Sequence, residues 1–76
     1  DYGPRRPAVP VYPISRRQRE ALLWIARGHT LAGAGREMGV TDTGVNGLLR
    51  LVYRKLGARS AAHAVALAMA RGLITP

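Results

Sequence analysis

Residues 31–56 read LAGAGREMGVTDTGVNGLLRLVYRKL, and this stretch decides how the chain folds. It carries two helical patterns separated only by Gly39, Val40 and Thr41. In the first, Leu31, Ala34 and Met38 recur at helical spacing, which predicts a helix over 31–38 with those three on its inner face, Thr30 as its cap and Gly39 as its stop. In the second, Val45, Leu49, Val52 and Leu56 form an apolar line spaced 4, 3 and 4. That line predicts a helix capped by Thr41 or Asp42 and ended by Gly57. Two helices joined so closely must cross steeply. The crossing needs a small residue where the first meets the second, a residue tolerating positive φ in the turn, and an apolar anchor one turn into the second helix. Counting Leu31 as one, Gly35 is fifth, Gly39 ninth and Val45 fifteenth, and these three packing positions match a helix-turn-helix.

Working outward, Ser15 with Gln18 three residues on forms a capping-box pattern that opens a first helix running to about Arg27. Its inward stripe is Leu22, Ile25 and Ala26, flanked by Ala21 and Leu23, and Gly28 ends it. Ser60 caps a fourth helix to about Arg71, with Val65, Ala68 and Met69 inward, before Gly72 and an apolar exit at Leu73 and Ile74. The expected fold is all-α, a four-helix domain over 14–76. Ahead of it, Pro4, Pro7, Pro10 and Pro13 recur every third residue, the polyproline II period, so 1–13 reads as a proline-rich extended arm. The arm serves either as a semi-rigid linker or as a ligand for a proline-binding module. Its Arg5 and Arg6 either stay solvated or reach along a nucleic-acid backbone.

Seventy-six residues suffice for one small domain. With no Cys, disulfides, thiolate nucleophiles and Cys-based zinc sites are excluded, and a reducing cytoplasm is the default compartment. The weakly polar run from Ala61 to Ala70 is far short of the ~18 apolar residues of a membrane span, so no membrane partner is expected. A secretory signal pattern is missing. A start at Asp1 rather than Met suggests a segment of something longer, with upstream domains.

Twelve Lys+Arg against four Asp+Glu give a net charge of +8, and a surplus of that size favours a polyanionic partner. Only Lys55 is a lysine; the arginine bias fits planar recognition of phosphate and guanine, and equally the codon bias of a GC-rich genome. The acids Asp1, Glu20, Glu37 and Asp42 are scattered, so no carboxylate pair exists for acid/base work. His29 and His63 are the remaining candidates for chemistry, and neither has a carboxylate or second histidine at ligand spacing. They read as solvated or capping side chains, giving a non-enzyme with no catalytic residues, metal site or cofactor. Trp24, without aromatic neighbours, reads as a packing residue rather than a base-stacking platform.

The segments Ile14-Ser15, Arg17-Gln18, Glu20-Ala21-Leu22, Ile25-Ala26 and Gly28, then Gly39-Val40-Thr41, Val45, Tyr53-Arg54-Lys55-Leu56-Gly57-Ala58-Arg59-Ser60, Ala64 and Ala66 together resemble a LuxR-type (GerE-like) DNA-binding domain over about 14–74. The resemblance implies the output domain of a response regulator or ligand-sensing activator, cytoplasmic and nucleoid-associated. It further implies double-stranded DNA as partner, a homodimer paired through the last helix, and an upstream sensor or receiver domain. RNA polymerase is a possible further partner.

On that reading the helix over about 42–56 enters the major groove. Asn46 and Arg50 would read base edges, Arg50 toward guanine and Asn46 toward adenine, while Gly47 allows close approach. Thr43, Arg54 and Lys55 would contact the DNA backbone, joined across the groove by Arg17, Thr30 and Arg36. Ala62, Ala66 and Leu67 offer a dimer face on the last helix. Members of the family usually carry Thr-Val-Lys followed two residues later by His, where this chain has Gly44-Val45-Asn46 and Leu48; Gly33 stands where Glu is usual. Gly44 and Gly47 should each weaken the reading helix by ~1 kcal/mol relative to Ala, leaving it frayed until something binds. Two alternatives follow: a helix-turn-helix reused as a protein-interaction module, with Leu48 on its outward face, or the promoter-reading region of a sigma factor.

Overall fold

Residues 14–76 are described by a computed structural model, and the proline-rich arm over 1–13 lies outside them. Four helices follow one another among the described residues: α1 (Arg16–Ala26), α2 (Leu31–Met38), α3 (Asp42–Leu56) and α4 (Ala61–Ala70). Each begins at a hydroxyl. Ser15, Thr30, Thr41 and Ser60 accept from the backbone N–H of Gln18, Gly33, Gly44 and His63 respectively. Each such cap satisfies a donor that the first helical turn leaves without a partner, typically worth ~1 kcal/mol. Thr41, not Asp42, caps α3, and the Asp42 carboxylate instead accepts from the Thr43 N–H at 2.8 Å.

The four exits repeat one another as well. Past Gly28, Gly39, Gly57 and Gly72, the N–H of His29, Val40, Ala58 and Leu73 donates back to the carbonyl of Trp24, Gly35, Tyr53 and Ala68, at 2.8 to 3.1 Å. At Gly39 the exit doubles as the whole inter-helix turn. Its φ of +73° lets α2 end and the chain reverse into Thr41 within two residues, a conformation that strains any residue bearing a Cβ.

The core is assembled around α3, which touches each of the other three helices. Val45, Leu49, Val52 and Leu56 are all buried, as the 4, 3, 4 spacing requires. Ala21 and Leu22 meet them from α1, Ala34 and Met38 from α2, Ala64 and Ala68 from α4, and Ile74 from the tail. No aromatic residue belongs to this buried set, and its largest fully buried members are Leu22, Leu49, Val45 and Val52. Trp24 is half-buried at the edge, with the His29 ring edge-on at 4.9 Å and the Arg27 guanidinium 5.2 Å from its ring centre.

Several positions depart from the expected inward pattern. On α1, Leu23, Ile25 and Ala26 are only half-buried, because the buried side is set by Gln18, Ala21 and Leu22. Leu31, the first residue of α2, is 38% exposed, and the helix is buried through Gly33, Ala34, Gly35 and Met38 instead. Met69 is 51% exposed and Val65 only half-buried. Helix α4 is apolar almost all round, so the small residues Ala64 and Ala68, which allow close approach to α3 and α1, determine the buried side. Leu48 is half-buried against the core rather than outward, and the exposed leucine of α3 is Leu51.

One buried polar residue ties the ends of the structure together. Gln18 is 7% exposed, and its Oε1 accepts from the Ser15 N–H at 3.0 Å and from Lys55 Nζ at 2.9 Å. The start of α1 and the last turn of α3 thus share one side-chain amide.

Candidate nucleic-acid interface

The interface is built from the turn outward. Gly35 is buried where α2 crosses the start of α3, and a Cβ placed there would lie 2.6 Å from the Val40 carbonyl oxygen and 3.3 Å from the Thr41 carbonyl carbon. Only a residue without a Cβ allows the backbone of the turn to approach so closely. Val45, fully buried one turn into α3, anchors the second helix from beneath. Gly35, Gly39 and Val45 therefore act together, as their spacing implies.

With Val45, Leu49, Val52 and Leu56 turned inward, advancing about 100° per residue sends Thr43, Gly47, Arg50, Leu51 and Arg54 to the opposite side of α3, with Asn46 on its flank. All six are exposed. The helix is continuous through Gly44 and Gly47. Thr41 caps it, Asp42 lies at its positive end, Arg54 and Lys55 at its negative end, and four buried side chains hold it down. Leu51 is a member of this face that the spacing argument passed over. Its place on the helical wheel, about 130° from the centre of the apolar line, marks it as outward, whereas Leu48 lies about 70° away and packs.

The expected backbone contacts divide into two groups. Thr30 stands exposed at the start of α2 with its Oγ1 accepting from Gly33, and Arg36 is exposed in the last turn of α2. Arg17 and Lys55 already hold internal partners. Arg17 donates from Nη2 to the Met38 carbonyl at 3.0 Å and from Nη1 to Glu20 at 3.1 Å, fastening α1 to the end of α2. Lys55 is half-buried and donates to Gln18. Beside it on α3, burial pushes the Tyr53 phenol above its ordinary pKa.

On α4, Ala62 and Ala66 are exposed while Leu67 is half-buried against the core, and Met69 shares the exposed side with the two alanines. His63 Nδ1 accepts from the Arg59 N–H at 3.1 Å, so this ring closes the loop into α4. His29 packs on Trp24. Among the described residues, no group of three or more His, Cys, Asp or Glu is arranged to hold a metal, and no helix is long and apolar enough to cross a membrane.

Two helices locked at a glycine crossing, with the second presenting arginines and polar side chains to solvent, define a helix-turn-helix domain. The sequence model described as bacterial regulatory proteins, luxR family (GerE) matches residues 12–68, well over half of the chain, and the chain belongs to that family. It is accordingly a domain of a DNA-binding transcription regulator. No curated protein matches the chain in sequence.

Proposed function

We propose that this domain binds duplex DNA sequence-specifically as the output domain of a transcription regulator, with α3 in the major groove. The observation that carries this reading is the exposed face Thr43, Asn46, Gly47, Arg50, Leu51 and Arg54, set opposite a fully buried apolar line on the same helix. Arg50 reads guanine and Asn46 adenine, Gly47 permits close approach, and Leu51 supplies an apolar surface for a thymine methyl. Thr30, Arg36, Thr43 and Arg54 contact phosphates, and Arg17 does so through donors beyond its two internal bonds. Lys55 we assign to the Gln18 junction instead.

Pairing on DNA uses Ala62 and Ala66 with Met69 in place of Leu67. Small side chains give this face a modest area, which fits a dimer that forms on the operator rather than in free solution. An upstream sensor or receiver domain, a cytoplasmic, nucleoid-associated location and a contact with RNA polymerase complete the proposal; of these, the location follows from membership of a DNA-binding family. Membership of the family favours this reading over the promoter-reading region of a sigma factor.

The test is selection from a randomised duplex library, then a salt titration of the enriched sequence against scrambled DNA. A short enriched motif, with log affinity falling by ~0.9 per neutralised phosphate against log salt, supports the proposal. Equal, weak, salt-sensitive binding to every duplex overturns it and points to a reused fold whose exposed Leu51 contacts protein.

A further inference from the structure

Helix α1 has a second face that the DNA-binding reading does not use. Arg16, Arg19, Glu20, Leu23 and Arg27 recur at helical spacing on the side turned away from Ala21 and Leu22. Together with Leu73, Ile74 and Thr75 of the tail they line an open groove of about 380 Å³. No residue of α2 or α3 contributes to it.

The groove has an apolar floor and a basic rim. Leu23 and Leu73 are half-buried and Ile74 is buried, forming the floor. The one carboxylate of the rim, that of Glu20, is paired with Arg17 at 3.1 Å, leaving Arg16, Arg19 and Arg27 as its uncompensated charges. Arg27 stacks over Trp24, which orients the guanidinium without neutralising it.

This placement works against the stability of α1. A helix start favours acids, yet the first turn of α1 contains none and carries Arg16 and Arg17, with Arg19 just beyond. Like charges on one face repel as well. Arg17 is compensated internally by Glu20 and the Met38 carbonyl, whereas Arg16 and Arg19 hold no such partner among the described residues, and a local rule broken at these two points to an external one. We propose that the groove docks an acidic, leucine-bearing segment of a partner protein, its carboxylates on Arg16, Arg19 and Arg27 and its apolar side chain on Leu23, Leu73 and Ile74. The apolar floor selects protein over nucleic acid, whose backbone offers charge but nothing to bury there. Because the groove lies apart from α3, the partner binds while the domain occupies DNA.

The test uses the 76-residue chain, isotope-labelled, and three probes: a short Glu/Leu peptide, the same peptide with every Leu replaced by Ser, and a duplex of random sequence. The Glu/Leu peptide is expected to shift the Leu23, Leu73 and Ile74 methyl signals saturably. Its binding should weaken roughly tenfold in R16E/R19E and clearly in R27E, variants of exposed side chains whose folding is checked by circular dichroism. Equal binding of the Ser peptide, unchanged affinity in both variants, shifts centred on α3, or the same methyl shifts with the duplex would each overturn the proposal.

Discussion

Replacing Gly47 with Ala separates the stability of the reading helix from its use. Gly47 lies within α3, exposed, and no heavy atom stands within 4 Å of the place its Cβ would occupy. The free protein therefore gains the helix-propensity difference between Ala and Gly without a steric penalty, ~0.8 to 1 kcal/mol. In a domain of this size each kcal/mol moves the melting temperature by ~4–8 °C, so Gly47→Ala should melt ~3–8 °C higher by circular dichroism. Gly44→Ala is the internal comparison. Its Cβ would lie 3.3 Å from Thr41 Oγ1, the cap hydroxyl, and 3.5 Å from Val40 Cβ, so its gain should be smaller. With α3 docked as proposed, the order reverses: a methyl at position 47 would stand between the helix and the base edges, and affinity for the selected operator should fall while the fold is firmer. An unchanged or lower melting temperature would refute the propensity argument. A rise in both stability and affinity would refute close approach at Gly47 and show that ordering α3 limits binding.

Gly35→Ala should destabilise the domain by ~1–3 kcal/mol in urea melts, since its Cβ would meet the Val40 carbonyl oxygen at 2.6 Å, and a neutral result would mean that the crossing is looser than described. Gln18→Ala leaves the Ser15 N–H and the Lys55 ammonium without a shared acceptor and should cost ~1–3 kcal/mol, with Gln18→Glu recovering most of it; equal losses in the two would deny the junction. Burial raises the Tyr53 pKa in the folded state, so the folded chain holds this proton more tightly than the unfolded one. Its contribution to stability is full below the ordinary value of ~10 and is lost as pH rises through the raised one. Alkaline thermal melts should fall less steeply in Tyr53→Phe than in the parent. Arg50→Ala should weaken operator binding by ~1–3 kcal/mol and relax preference at one base pair; a uniform loss over all sequences would make Arg50 a phosphate contact.

The helices and their limits were legible because they depend on local chemistry. A hydroxyl three residues ahead of an orphan N–H, and a glycine one or two steps past the last apolar position, act within a single turn of chain. The inner face of α3 was legible too, since polar residues alternate with apolar ones and give the line a direction. In α4 nearly every residue is apolar, so periodicity carries no direction and Met69 was assigned inward. Leu31 fits the spacing of α2 but is its first residue, exposed while Gly33 and Ala34 behind it are buried. The interface was legible as an outward face, apart from the exchange of Leu48 for Leu51, which an angular count resolves. The internal work of Arg17 and Lys55 was not. Both bonds join residues 21 and 37 positions apart, and nothing in the local sequence marks a surface base as engaged elsewhere.

The Gln18 amide joins the start of α1 to the last turn of α3, the helix we assign to DNA. Loss of the Gln18 amide would therefore remove one bond from each of two places at once, the start of α1 and the last turn of α3. Exchange of the Ser15 amide proton should accordingly quicken in Gln18→Ala.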